Sequence, residues 1–531
     1  MMNWNACIED CSDLQPAEEL RLICGDQLNL RHSWFDKGPT PHRLYVLMEI
    51  RTETDYAVHH VQKVVAFFGA MRLFARALKD AGHRVHYVPL DSPENRQSFA
   101  GNLERIMRRV QATAFHWQLP DEYRLDQVLD AYAQSCHERG WKATSCDTEH
   151  FYTGRDDLAR FFEGKKTFRL ENFYRSMRSQ HDVLMDSLGA PEGGQWNYDA
   201  NNRQRIPVDH PIPPPKLFPR DVQPLVELLA QSGVRTTGRL AASGWGWPLT
   251  REEGEQTLAY FVETLLPHFG DYQDALTKES WSVYHSRLSF LMNSKILSPK
   301  EVVDAVEDAW RTDPNRVSIS QVEGFIRQIL GWREYMRGIY WAKMPEYAEL
   351  NFFNHSRKLP EWYWTGKTRM ACLSHAVDQT MEHAYAHHIQ RLMITGNFAL
   401  LAGIDPDEVD AWYLGVYIDA LEWVEMTNTR GMSQFADGGI VGSKPYVSSA
   451  QYIKKMGHYC KECHYKANEK VGEQACPFNA LYWDFHARHR EVLERNPRIG
   501  MVYRTWDRMD ADKQAALLAT AEMNLNRINE L

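Results

Sequence analysis

From residue 20 onward the chain alternates short apolar runs with amphipathic stretches. Leu20-Arg-Leu-Ile-Cys24 is stopped by Gly25-Asp26-Gln27-Leu28, and Leu44-Tyr-Val-Leu-Met48 by Glu49. A helix-period segment from about Val58 to Lys79 precedes Val85-His-Tyr-Val-Pro89. A second, near Leu103–Val110, precedes Ala114-Phe-His-Trp117, and a third, about Gln127–Glu138, precedes Lys142-Ala-Thr144. Strands alternating with helices predict a parallel, doubly wound sheet. Ligands of such sheets sit at the carboxyl ends of the strands, here Gly25-Asp26-Gln27 and Glu49 to Tyr56. No G-x-G-x-x-G follows the first strand, so the usual dinucleotide fingerprint is missing.

The pattern changes twice more. Gly193-Gly194, Pro207, Pro211, Pro213-Pro-Pro215 and Pro219 mark a long, extended connector. Beyond it helical periodicity dominates: Glu252–Leu265, Glu301–Trp310, Gln321–Tyr340, Cys372–His388, Arg391–Leu401, Val409–Tyr417 and a last stretch at Ala515–Ile528. Loops at Gly431–Gly442 and Tyr446–Tyr452 interrupt them. The predicted organisation is a poorly ordered extension (1–19), an α/β domain (20–150), a connector (151–250) and an all-α domain (251–531).

Composition narrows the class. The 531 residues are 44% hydrophobic and 25% charged, which fits a globular protein of two or three domains. A net charge of −9 argues against indiscriminate polyanion binding and leaves room for one local basic groove. Met1–Gln15 lacks the basic and apolar regions of a signal peptide, and no apolar run is long enough to span a bilayer. A cytoplasmic, monomeric protein without membrane attachment is expected. In that reducing setting the nine cysteines favour metal-bound thiols over disulfides.

Four cysteines stand out. Cys460-Lys-Glu-Cys463 is followed after twelve residues by Cys476-Pro477, and Cys372 is the nearest cysteine upstream. Two thiolates three residues apart bind one metal from a single turn. Four soft ligands suit zinc or an iron–sulfur cluster, and spacing alone does not divide the two.

Several helical-domain segments carry a resemblance. Tyr284-His-Ser286-Arg-Leu288-Ser289-Phe, the run from Glu323 to Gly338 that contains Trp332-Arg333-Glu334-Tyr335, and the run from Ala384 to Asn397 that contains His387-His388-Ile-Gln-Arg391 are similar to the flavin-binding domain of photolyases and cryptochromes. With the cysteines, the chain resembles the bacterial iron–sulfur branch from about residue 20 to its end, above all its (6-4) photolyases.

That resemblance implies a doubly wound antenna domain, a connector and a helical FAD-binding domain carrying a [4Fe–4S] cluster on Cys372, Cys460, Cys463 and Cys476. It implies FAD held by the Ser286-x-Leu288-Ser289 loop, Trp332, Arg333 and Arg391, with Glu425 near flavin N5. His388, with His387 as second candidate, would give the lesion its proton, a task imidazole performs well near neutral pH, and Tyr446 would touch the lesion. Trp412, Tyr413 and Trp364, which alone read as core aromatics, match an electron relay. Asp26, Gln27, Glu49, Glu53 and Tyr56 match a site for the antenna 6,7-dimethyl-8-ribityllumazine. The implied partner is UV-damaged DNA with its lesion flipped out, its phosphates met by cations such as Arg357, Lys358, Lys367, Arg369 and Lys444. The implied activity is light-driven repair of (6-4) photoproducts. A cryptochrome-type photoreceptor using the same flavin is the alternative, because fold does not fix function.

Overall fold

The computed structural model describes residues 3–165, 167–199 and 202–531. Five strands form one parallel sheet, in the spatial order Val85–Val88, Arg43–Met48, Glu19–Leu22, Ala114–Gln118, Lys142–Cys146. The register pairs Leu20 with Leu44 and with Phe115. All five expected strands are present, and side-chain alternation divides them between two cores. Leu44, Val46 and Met48 pack with Leu103, Ile106 and Leu129 of the helices Phe99–Val110 and Tyr123–Glu138. Tyr45 and Leu47 face the opposite way, with Val64, Val65 and Phe68 of the helix Val61–Asp80. That second core runs on into the helical half of the molecule.

The N-terminal segment is built into the structure, contrary to the reading of 1–19 as poorly ordered; residues 1 and 2 lie outside the described residues. Trp4 is only 2% exposed, and its indole donates to Asp221 O at 2.8 Å. Ser12 pairs with His86 at the sheet edge, and Tyr87 N donates to Cys11 O at 2.7 Å. One aromatic anchor and an unpaired edge outweigh the polar composition of the segment.

The stretch 203–222 is irregular, as its prolines require, but helices Leu170–His181 and Gln223–Gln231 flank it. The former packs on the long helical rod that runs from Ile319 to Lys343, and Tyr174 Oη donates to Glu323 Oε1 at 2.9 Å.

Helices Arg251–Tyr260, Pro299–Thr312, Ala371–His383, Pro406–Val416, Pro477–Arg488 and Ala511–Asn526 build the remaining body. The expected helix Cys372–His388 is broken: it ends at His383, Ala384 adopts φ 51°, and a new helix starts at His388. The Gly-rich loop expected at Gly431–Gly442 begins as helix, since Thr427–Ser433 forms a π-helical segment. Arg327–Arg333 and Arg391–Gly396 are π-helical too. Such wide turns gather at functional sites, where they re-aim a side chain; here two of them carry Arg333 and Arg391.

The two halves meet closely. Gly415 lets the helix Pro406–Val416 approach the backbone at Val58, where a Cβ would stand 2.4 Å from Val58 O. Lys295 Nζ, from the helical half, lies 2.9 Å from Asp26 Oδ2 and 2.7 Å from Asp121 Oδ2.

Candidate functional site

A cavity opens at the carboxyl ends of the strands, where the order reverses between Glu19–Leu22 and Ala114–Gln118. Gly25, Asp26, Glu53, Tyr56, His59, Lys63, Asp121 and Glu122 supply its polar wall, and Ile50, Phe67, Phe68, Leu125 and Leu421 its apolar one. This is the crevice in which doubly wound sheets bind ligands. Arg124 binds both Glu53 oxygens at 2.9 Å and lies 4.2 Å from the Tyr56 ring centroid, so both residues are held in place. Lys63 is buried and donates to Leu414 O at 2.7 Å; desolvation brings its ammonium down to about 8.

Two of the expected antenna residues do not reach this cavity. Glu49 is buried on the other face of its strand, where Arg72 takes its oxygens at 2.7 and 2.9 Å and Tyr87 Oη donates at 2.7 Å. Gln27 is spent on the backbone, accepting from Cys24 N at 3.0 Å and donating to Gln118 O at 3.1 Å. Both are structural. Lys63 and His59, which the sequence reading missed, line the cavity in their place.

In the helical half a polar network gathers on Asp419. Arg391 meets it with two bonds, of 3.0 and 3.2 Å, and Ser289 Oγ donates to it at 2.6 Å. Asn293 Nδ2 donates to Asp419 O at 2.6 Å, while Asn293 Oδ1 accepts from Arg333. Arg333 lies 4.8 Å from the Trp423 ring centroid, and burial lowers its guanidinium to about 10. Three expected residues, Ser289, Arg333 and Arg391, are thus joined through Asp419 and Asn293, which no spacing signalled. Ser286 Oγ accepts from Leu288 N at 3.3 Å, and Leu288 is core. Trp332 stands edge-on to Tyr335 with ring centroids 6.0 Å apart.

Glu425 is buried, and its Oε1 has no hydrogen-bond partner among the described residues. Burial, followed by the Asp410 charge, holds its carboxyl well above the usual range. A buried carboxyl oxygen left open in this way is available to a bound group.

The structure separates the two histidines. His387 is 2% exposed and stacks on His285, with ring centroids 4.7 Å apart and planes at 9°. His388 is exposed, yet desolvation, then the Arg391 charge, pushes its imidazole down to about 4. An exposed side chain desolvated in this way stands in a recess rather than on open surface. Tyr446 is half-buried, with Arg203 and Arg498 as its cationic neighbours.

Aromatic rings lead outward from Arg391. Its guanidinium lies 3.8 Å from the Tyr417 centroid, and Tyr413 Oη donates to Arg391 O at 2.6 Å. Trp412 sits 5.1 Å from both Tyr413 and Tyr363, and Tyr363 stacks on Trp362 at 4.5 Å. Trp364, two residues after Trp362, is 39% exposed. Tyr363, absent from the sequence reading, stands between Trp412 and Trp362 and touches both rings.

Cys372, Cys460, Cys463 and Cys476 line one cavity together with Met370, Ile453, Tyr459 and Phe478. Burial raises the Cys372 thiol well above its ordinary value, and the other three sulfurs, acting on it as charges, add to the rise. The other five cysteines lie elsewhere and are unbridged. Among the described residues no group of three or more His, Cys, Asp or Glu side chains is close enough to hold a single metal ion. No helix among the described residues is long and apolar enough to cross a membrane.

The chain is similar to known proteins. The family described as deoxyribodipyrimidine photo-lyase-related protein matches residues 21–245. A protein of Agrobacterium fabrum named (6-4) photolyase is 42% identical over 516 residues, which is 96% of this chain and 100% of that protein. The crystal structure of a bacterial class III photolyase from Agrobacterium tumefaciens aligns with a TM-score of 0.57 at 15% identity, over 97% of this chain and 99% of its own. A Synechocystis cryptochrome aligns with a TM-score of 0.53 at 13% identity, over 91% and 94%. At such identities the two structures speak for the fold alone. Identity of 42% sustained over nearly the whole chain speaks for more: this protein belongs to the (6-4) photolyase family.

Proposed function

We propose that this protein repairs (6-4) pyrimidine–pyrimidone photoproducts in DNA by a light-driven reaction, acting as a cytoplasmic monomer. The observation that carries the reading is the full-length identity to a (6-4) photolyase. Its counterpart in the structure is His388, recessed and beside Arg391 while His387 is packed away.

The residues fit a flavin. Arg333 and Arg391 place two cations in one network, and Glu425 Oε1 is a buried oxygen without a partner among the described residues. Ser286, Leu288 and Ser289 would hold the diphosphate side, with Trp332 alongside. FAD, when bound, would supply the photoexcited electron and take it back. The protein's part is to position and to move protons. Arg391 is fixed by Asp419, so its charge stays beside the pocket. His388 would give a proton to the lesion hydroxyl as it leaves one base and recover it as the hydroxyl returns. Held neutral at rest by desolvation and by Arg391, it must acquire that proton as the site becomes more negative on binding DNA. Tyr446 would bound the lesion pocket, and Arg357, Lys358, Lys367, Arg369 and Lys444 are its candidate phosphate contacts. Tyr363, Trp412 and Tyr413 would conduct electrons inward from Trp364.

The cysteine cavity offers the four soft thiolates that a [4Fe–4S] cluster takes as ligands. It would clamp the segment from Tyr459 to Cys476 against the helix Ala371–His383. The cavity at the sheet ends fits 6,7-dimethyl-8-ribityllumazine, a small polar heterocycle, through Asp26, Glu53, Tyr56 and Lys63.

Blue illumination of the reduced protein with oligonucleotides carrying either a (6-4) or a cyclobutane lesion tests the reading. Loss of the (6-4) product alone, only in the light, supports it. A bound flavin that bleaches and recovers without repairing either lesion would favour a photoreceptor.

A further inference from the structure

The turn that carries the two histidines is held by side chains. After Ala384 breaks the preceding helix, two carboxamides bridge the gap. Gln379 and Gln390 pair reciprocally, Nε2 to Oε1 at 3.0 Å in each direction. Gln390 Oε1 also accepts from His387 N at 3.1 Å, and Gln379 Nε2 donates to Tyr385 O at 3.2 Å and Trp281 O at 3.1 Å. Both glutamines are buried. The pair therefore grips the residue immediately before His388 and the residue three before it.

Its other side faces the cysteines. Gln390 Nε2 makes a long bond, 3.5 Å, to Tyr459 Oη. That hydroxyl lies 3.0 Å from Thr277 O and 3.2 Å from His375 Nδ1. Tyr459 lines the four-cysteine cavity and precedes Cys460. Gln379 belongs to the helix whose first turn carries Cys372; residues seven apart share a helix face, with His375 between them. Two links, one through Tyr459 and one along this helix, join the sulfur cavity to the histidine turn.

We propose that the Gln379–Gln390 carboxamide pair is the positioning element for His388, and that Tyr459 ties the geometry of this pair to the contents of the four-cysteine cavity. The proposal rests on the reading of His388 as the acid. A reciprocal amide pair fits such a task. It satisfies its own polar atoms, leaves one oxygen lobe for the His387 N–H, and is rigid because removing either partner orphans buried groups of the other. A small displacement of a reacting group from its productive position is costly in rate and leaves substrate binding alone.

Two substitutions test it in the protein as isolated. Gln390→Met keeps length and burial but neither accepts nor donates; Tyr459→Phe removes one hydroxyl. For Gln390→Met we expect kcat on (6-4) DNA to fall about tenfold or more with KM within about twofold, and amide exchange at His387 to quicken. For Tyr459→Phe we expect exchange across residues 384–390 to match what the parent shows only after chelation has emptied the cysteine cavity. Should Gln390→Met prove unstable, Gln379→Met gives the same readouts. Parent-like kcat and exchange in the glutamine variants would overturn the positioning role. Exchange in Tyr459→Phe that matches the untreated parent, or a parent indifferent to chelation, would overturn the link to the cysteines. Repair retained by His388→Ala would instead unseat the acid assignment, so the two failures are distinguishable.

Discussion

The imidazoles of His285 and His387 lie nearly parallel, 9° between planes and 4.7 Å between centroids. The stack assigns different work to adjacent histidines, since His387 is consumed in packing while His388 faces the recess. His387→Phe, which preserves a flat ring against His285 and the backbone bond to Gln390, should repair (6-4) DNA within about threefold of the parent. His387→Ala should lower the melting temperature through the cavity left behind, a loss of about 3 kcal/mol. Repair abolished in His387→Phe at full stability would exchange the roles of the two residues.

Glu49 and Glu53 sit four residues apart and should behave oppositely. Glu49→Gln strands the Arg72 guanidinium in the core, and breaking such a buried pair costs about 3–5 kcal/mol. Glu53→Gln loosens a half-buried pair with Arg124, worth about 1 kcal/mol or less, and should empty the cavity of its antenna. Thermal melts beside chromophore extraction decide the matter. A stable Glu49→Gln lacking antenna would return Glu49 to the site.

Much of this architecture was legible in the sequence because it is periodic. The unbroken apolar run Leu44–Met48 marked a buried strand, and cysteine spacing picked out the four sulfurs that line one cavity. Carried one residue further, the side-chain alternation of that strand takes Glu49 to the side of Tyr45 and Leu47, against the helix that bears Arg72. Lys63 interrupts the apolar stripe of Val64, Phe67, Phe68 and Met71, a signal that could have placed it on the cavity. Asp419, Asn293 and the two glutamines left no such trace. They are single polar residues whose side-chain partners lie 11 to 130 positions away in sequence, so only the fold pairs them. The break at Ala384 was invisible as well, since alanine is the best helix former and the positive φ is imposed by tertiary packing.

Stability should fall in mild acid. His86 and His486 are buried with both ring nitrogens unpartnered among the described residues, and burial lowers each to about 4. For a base depressed in this way the folded form is favoured in full above the unfolded value of about 6.5. As pH drops from there toward 4 the unfolded chain takes up protons that the folded chain refuses. Each site then costs up to about 1.4 kcal/mol per pH unit. Urea midpoints between about pH 7 and pH 5 should decline, less steeply in His486→Leu. An unchanged slope in that variant would mean that His486 is not buried neutral.

Cys372 and Cys476 are the buried pair of the sulfur cavity, Cys460 and Cys463 the half-buried one. Cys476→Ser should therefore lose iron and sulfide together and loosen the segment from Tyr459 to Cys476, seen as new proteolytic cuts there. Zinc in the parent protein, or undiminished iron in the variant, would count against a four-thiolate cluster.

The central claim is tested most directly by blue-light turnover of a (6-4)-damaged oligonucleotide by the reduced parent and by His388→Ala, assayed side by side. The account predicts repaired thymine pairs from the parent, in the light alone, and a rate lower by at least about a hundredfold in the variant. Equal repair by the two proteins, or none by a flavin-loaded parent, would contradict it.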